Sequence, residues 1–203
     1  MFEQKDIEQA KQTFKKWDIN HTWHSATPEF IEHSRKKAKN SINLAIYLMD
    51  KIEQTKELED NDTITVWIIT LSYYSMFFEV EYLLGIGHKK LPKGTKDTHK
   101  TIYLAFLYYY IIKGSEFEQK NAKEITTSRM SRALTVFREL QDEALELQRV
   151  NKSARDLKEQ REQRHIFTYQ MNKTAEISEA KRSINKATEF RQLIEEYILS
   201  RRF

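Results

Sequence analysis

The chain of 203 residues carries a formal charge of +4, and 39% of its residues are hydrophobic and 12% aromatic. That is enough apolar material for one well-buried core and too much for a disordered chain. With only 4 Gly and 2 Pro, it lacks the turn residues an all-β fold needs, and with no Cys it has no disulfide, thiolate zinc site or cysteine nucleophile. The absence of cysteine fits a reducing compartment and points to the cytoplasm.

Met1–Lys16 mixes charged and apolar residues and contains no signal-peptide core. Ile7, Ala10, Phe14 and Trp17 recur at helical spacing, predicting a first helix over 3–17 and a polar connection over 18–27. Thr27-Pro28-Glu29 starts the second helix: a capping hydroxyl, a proline whose missing N–H costs nothing there, and an acid at the positive end of the dipole. Its stripe of Ile31, Ala38, Ile42, Ala45, Met49 and Ile52 runs to about Leu58. The third helix, capped by Asn61-Asp62-Thr63 and running from Ile64 to about Leu84, is apolar all round, as a central bundle element should be. Thr63 to Phe78 is too short and too rich in hydroxyls for a membrane span, so it reads as a buried helix.

Gly85 and Gly87 end that helix, and a basic loop follows with Lys89, Lys90, Lys93, Lys96 and Lys100 against Asp97 alone. Such a loop suits phosphate, although solvated lysine surface is the commoner reading. Asp97 or Thr98 caps a fourth helix over Ile102–Ile112, closed by Gly114. A fifth starts at Thr127-Ser128 and buries Met130, Ala133, Leu134, Phe137, Leu140, Ala144 and Leu147. Ser153 opens a sixth, highly charged helix to Tyr169, and the last runs from Ser178 to the C-terminus through Ala180, Ile184, Ala187, Phe190, Ile194 and Tyr197.

On the sixth helix Leu157, Arg161, Arg164, His165 and Thr168 fall on one stripe, at positions a bundle normally fills with apolar residues. Cations there require carboxylate partners or a wet cleft; the alternative is a solvated helix edge. His21-Thr22-Trp23-His24 is the one close histidine pair, and without a nearby carboxylate it does not make a metal site. The clusters Tyr73-Tyr74, Phe77-Phe78 and Tyr108-Tyr109-Tyr110 read as core rather than as base-stacking platforms. There is no Walker loop, dinucleotide glycine fingerprint or nucleophile elbow, so no nucleotide cofactor is expected.

Five segments stand out in order: His33-Ser34-Arg35-Lys36-Lys37-Ala38 through Ala45; Ser72-Tyr73-Tyr74-Ser75-Met76-Phe77-Phe78, similar to a YYAMF helix; Thr98-His99-Lys100; Arg164-His165-Ile166-Phe167-Thr168-Tyr169, an R-x4-Y pattern; and a terminal helix with Ala180, Ala187 and Phe190. Together they resemble the HEPN domain, in particular an uncharacterised prokaryotic subfamily. The resemblance covers about residues 28–200 and implies an all-α, HEPN-like bundle of about six or seven helices over 28–203, with 1–27 packed on it as an N-terminal helix and connection.

The resemblance further implies a homodimer, RNA as a partner, and metal-independent RNA cleavage of the toxin–antitoxin or defence type. A non-catalytic helical dimer or adaptor beside a minimal nucleotidyltransferase is the alternative. Active members of the family carry R-x4-6-H, which is absent here: Arg161 and His165 are separated by three residues, and Lys158 stands where an arginine would be required. Thr168 also replaces the acidic residue that usually precedes the tyrosine of R-x4-Y. Arg161, Arg164, His165 and Tyr169 are the candidate catalytic set, a base and cations being what metal-free cleavage needs. Lys89, Lys90, Lys93, Lys96, Lys100 and Lys158 are the candidate RNA-binding set. No metal, cofactor or membrane is expected.

Overall fold

A computed structural model describes residues 4–20, 23–55, 62–89, 91–92, 98–113, 125–161 and 177–201. Among the described residues there are six helices: α1 (Gln4–Asn20), α2 (Pro28–Gln54), α3 (Asp62–Ile86), α4 (Thr98–Phe106), α5 (Ile125–Arg161) and α6 (Ile177–Arg201). A π turn over Leu107–Ile112 continues α4. One two-residue antiparallel pairing joins β1 (Trp23–His24) to β2 (Leu91–Pro92), with Trp23 opposite Pro92 and His24 opposite Leu91. Among the described residues no helix is long and apolar enough to cross a membrane.

α3 lies at the centre, packed against α2, α4, α5 and α6. Ile68, Ile69, Tyr73, Met76, Val80, Leu83 and Leu84 are closed off from solvent, as its uniformly apolar surface predicts. α2 runs alongside it: the Ser75 hydroxyl donates to the Ala38 carbonyl at 2.9 Å, and Ser34 donates to Glu81 at 3.3 Å. The start of α2 follows the sequence, since Thr27 Oγ1 accepts the Phe30 N–H at 3.2 Å and Pro28 sits in the first turn. Glu29 is held below the ordinary carboxylate range by a backbone hydrogen bond and by Thr27. Ala10 and Phe14 belong to the same buried cluster as the bundle, so α1 shares its core.

The helix boundaries differ from expectation in several places. α1 extends to Asn20, and α2 ends at Gln54 rather than near Leu58. α4 begins at Thr98, four residues before the expected Ile102. No break occurs at Ser153. The expected fifth and sixth helices are one continuous α5 through Arg161, starting at Ile125 ahead of the expected Thr127-Ser128 cap. The physical reason is visible in Gln148–Arg161, which is rich in Arg, Lys, Glu, Gln, Ala and Leu and has no glycine or proline; a lone serine costs a helix interior little.

The glycines at the end of α3 act differently from the expectation. His88, with φ of 49°, takes the left-handed position. Its N–H bonds the Gly85 carbonyl at 3.0 Å and the Lys89 N–H bonds Leu84 at 2.9 Å, the paired closure of a Schellman motif. Gly85 and Gly87 answer to packing. A Cβ at Gly85 would stand 2.6 Å from Ile31 Cγ1, and one at Gly87 2.6 Å from the Tyr110 hydroxyl.

Candidate functional site

A cleft of about 350 Å³ opens between α1, α4 and α5. Its lining includes Asp6, His99, Lys100, Tyr103, Arg138 and Gln141. The first turn of α4 places His99 and Lys100 at its edge. Phe137 and Leu140 anchor the buried face of α5, so the intervening Arg138 and the following Gln141 are carried to the cleft wall.

His99 is fixed from the core side. Its Nδ1 lies 2.6 Å from the hydroxyl of Tyr73, which is fully buried, and the Gln141 amide donates to the same phenol oxygen at 3.3 Å. The rings of Tyr73, Tyr74 and Phe77 surround the imidazole, with centroids 5.5, 5.7 and 4.9 Å away. Tyr73 either gives its hydrogen to Nδ1 or accepts Nδ1–H, according to the tautomer. In the second arrangement Nε2 keeps its lone pair and can accept a proton.

On the other wall the Arg138 guanidinium donates to Asp6 at 2.8 Å and stands 4.0 Å from Asp142. The Tyr103 hydroxyl reaches the same Asp6 oxygen at 3.5 Å. Burial, reinforced by the nearby Asp6 charge, pushes the Tyr103 phenol up to about 12, so it remains a donor through the neutral range.

Two further carboxyl groups are perturbed away from the cleft. Burial raises Glu79 to about 7, offset in part by Arg191 and Arg35, and raises Glu81 to about 6 against the Ser34 hydrogen bond and Lys37.

The sequence-derived candidates are divided by the structure. Lys100 lines the cleft, while Lys89 lies over the Tyr109 ring, 5.7 Å from its centroid. Arg161 is the last residue of α5, and Lys158 lies in its final turn. Arg164, His165, Tyr169, Lys90, Lys93 and Lys96 are outside the described residues, as is His21. His24 is exposed in β1, and among the described residues no group of three His, Asp or Glu is placed to hold a metal. Tyr73, Phe77 and Tyr110 are core residues as expected, and Tyr108 stacks on Phe14 with centroids 4.1 Å apart.

His99, Arg138 and Asp6 were not singled out as site residues from the sequence. The available signal was Gln141: a polar side chain one turn after Phe137, on a face otherwise built from Ala, Leu and Phe. No family model, curated protein or solved structure matches the chain. The protein is an all-α helical bundle with a polar cleft between α1, α4 and α5.

Proposed function

We propose that this chain acts on RNA, binding a phosphodiester segment in the cleft between α1, α4 and α5 and supporting its cleavage without a metal ion. The observation that carries this reading is His99, held at 2.6 Å by the buried Tyr73 hydroxyl in a cleft that also holds Lys100 and Arg138. With Nδ1–H given to the phenol, His99 takes the proton of a 2′-hydroxyl. The 2′ oxygen bonds to phosphorus, the 5′ oxygen leaves, and the proton returns to it; the products are a 2′,3′-cyclic phosphate and a 5′-hydroxyl end. Lys100 and Arg138 offset the charge that builds on the phosphoryl oxygens. The HEPN resemblance of the sequence supports an RNA-linked role and a two-fold dimer, while the R-x4-6-H motif of its active members is absent.

Arg161, Arg164, His165 and Tyr169, the catalytic candidates read from the sequence, are the competing set for the same reaction. Incubating an RNA oligonucleotide with the protein in EDTA separates the two. His99→Ala should lower the cleavage rate by about 10²–10⁴, the usual worth of a positioned proton-transfer group, in protein that is still folded at the assay temperature. Loss in His165→Ala with His99→Ala unaffected moves the chemistry to that set. Absence of both binding and cleavage at low salt would sink the RNA reading.

A second reading, a non-catalytic helical dimer or adaptor, is favoured by a separate observation. Tyr47 on α2 and Trp67 on α3 are 55% and 56% exposed, large apolar side chains at an unusual degree of exposure. Light scattering settles the dimer: a mass near 24.4 kDa at micromolar concentration contradicts it.

A further inference from the structure

We propose that Asp6 occupies the seat of a phosphate group on Arg138, and that a phosphate-bearing ligand enters the cleft by displacing this carboxylate. For RNA as the source of that phosphate, the inference rests on the function proposed above; the seat itself is testable without it.

Two donors from different elements converge on a single Asp6 oxygen, the Arg138 guanidinium at 2.8 Å and the Tyr103 hydroxyl at 3.5 Å. A phosphoryl oxygen makes the same pair of bonds, and an arginine is suited to it by its planar fork. The pair sits within the cleft that His99 and Lys100 line. Asp6 and Asp142 flank the guanidinium, so a phosphate arriving there meets two negative charges before it meets the positive one. Removing one of them is a condition of binding.

Asp6 is positioned to leave. It stands in the first turn of α1, where backbone N–H groups have no partner within the helix and the turn opens most readily. Two turns further on, Phe14 is buried and stacked on Tyr108, so α1 stays on the bundle when its first turn releases. The carboxylate thus acts as an intramolecular competitor, and the ligand's affinity is reduced by the fraction of molecules in which it holds the seat.

The test uses the full chain and inorganic phosphate as probe, titrated by phosphorus NMR, with melting temperature measured alongside. Asp6→Asn, and Asp6→Ser as a second variant of different size, should tighten phosphate binding about tenfold. Adding Arg138→Gln to either should abolish the gain. Unchanged affinity with a lowered melting temperature makes the contact structural and overturns the inference, as does a gain that survives Arg138→Gln. In wild type, phosphate should speed exchange of the Glu8, Gln9 and Ala10 amides, which the helix pattern pairs with the carbonyls of the first turn of α1; slowed or unaltered exchange also overturns it. If phosphate binding tightens in Asp6→Asn while an RNA oligonucleotide still fails to bind, the seat stands and the RNA reading fails.

Discussion

The hydroxyl of Tyr73, buried at the centre of α3, meets Nδ1 of His99 in the first turn of α4 at 2.6 Å, and so ties a half-buried imidazole to the core of the bundle. Tyr73→Phe retains the ring among Tyr74, Phe77 and Phe137 but removes the hydroxyl that also receives the Gln141 amide. A stability loss of about 1–2 kcal/mol in urea denaturation is expected, the cost of a buried hydrogen-bonded group losing its partner. RNA cleavage should fall as well, and the added variant His99→Ala should lower it no further than it does alone.

Glu79 gives a pH prediction with a definite sign. Burial raises its folded-state pKa from 4.5 to about 7, so the folded protein holds this proton more tightly than the unfolded chain. The contribution is favourable below the unfolded value and is lost as pH rises through the folded one. Glu79→Gln should therefore stabilise the bundle by about 1–3 kcal/mol at pH 8 and by much less at pH 5, at 1.36 kcal/mol per unit of difference. Equal effects at the two pH values, read from melting curves, would show that Glu79 stays ionised in the fold.

Gly87→Ala tests close packing at the end of α3. The new Cβ would stand 2.6 Å from the Tyr110 hydroxyl and 3.2 Å from the Leu83 carbonyl, between the two groups that share a 2.8 Å hydrogen bond. Destabilisation by about 1–3 kcal/mol is expected. His88→Gly, one residue on, should do the opposite and raise stability by about 0.5–1 kcal/mol, because it relieves a left-handed histidine.

Salt dependence separates the lysines. If Lys100 and Lys89 neutralise RNA phosphates, each lysine replaced by serine should lower the log–log salt slope of binding by about 0.7, the value for single strands. Fluorescence anisotropy from about 30 to about 300 mM salt, one decade in concentration, measures this. A slope indifferent to Lys89, Lys90, Lys93 and Lys96 together would remove the basic loop from the binding surface.

Much of the helical frame could be read from periodicity. The stripe Ala38, Ile42, Ala45, Met49 and Ile52 is the buried face of α2, and Thr27-Pro28 begins it. The continuity of α5 was not legible because a serine after Asn151-Lys152 resembles a cap, and only the surrounding helix formers decide against it. The cleft was less legible still. Asp6 and Arg138 are 132 residues apart, and no local pattern announces a pair made by tertiary packing. Tyr73 and His99 were both visible within separate segments, but their 2.6 Å contact depends on how α4 lies across α3.

The π turn over Leu107–Ile112 works as a phase shifter. Three consecutive tyrosines divide between two sides across it: Tyr108 stacks on Phe14 and Tyr109 meets the edge of the same ring, while Tyr110 reaches the Leu83 carbonyl and Tyr197. An extra residue in one turn lets the α4 face and the tyrosine face keep separate registers. Winding these six residues at regular α pitch would swing every later side chain by roughly 100°. The wide pitch of this turn is therefore constrained more tightly than its composition, and phenylalanine in place of Tyr108 should be tolerated.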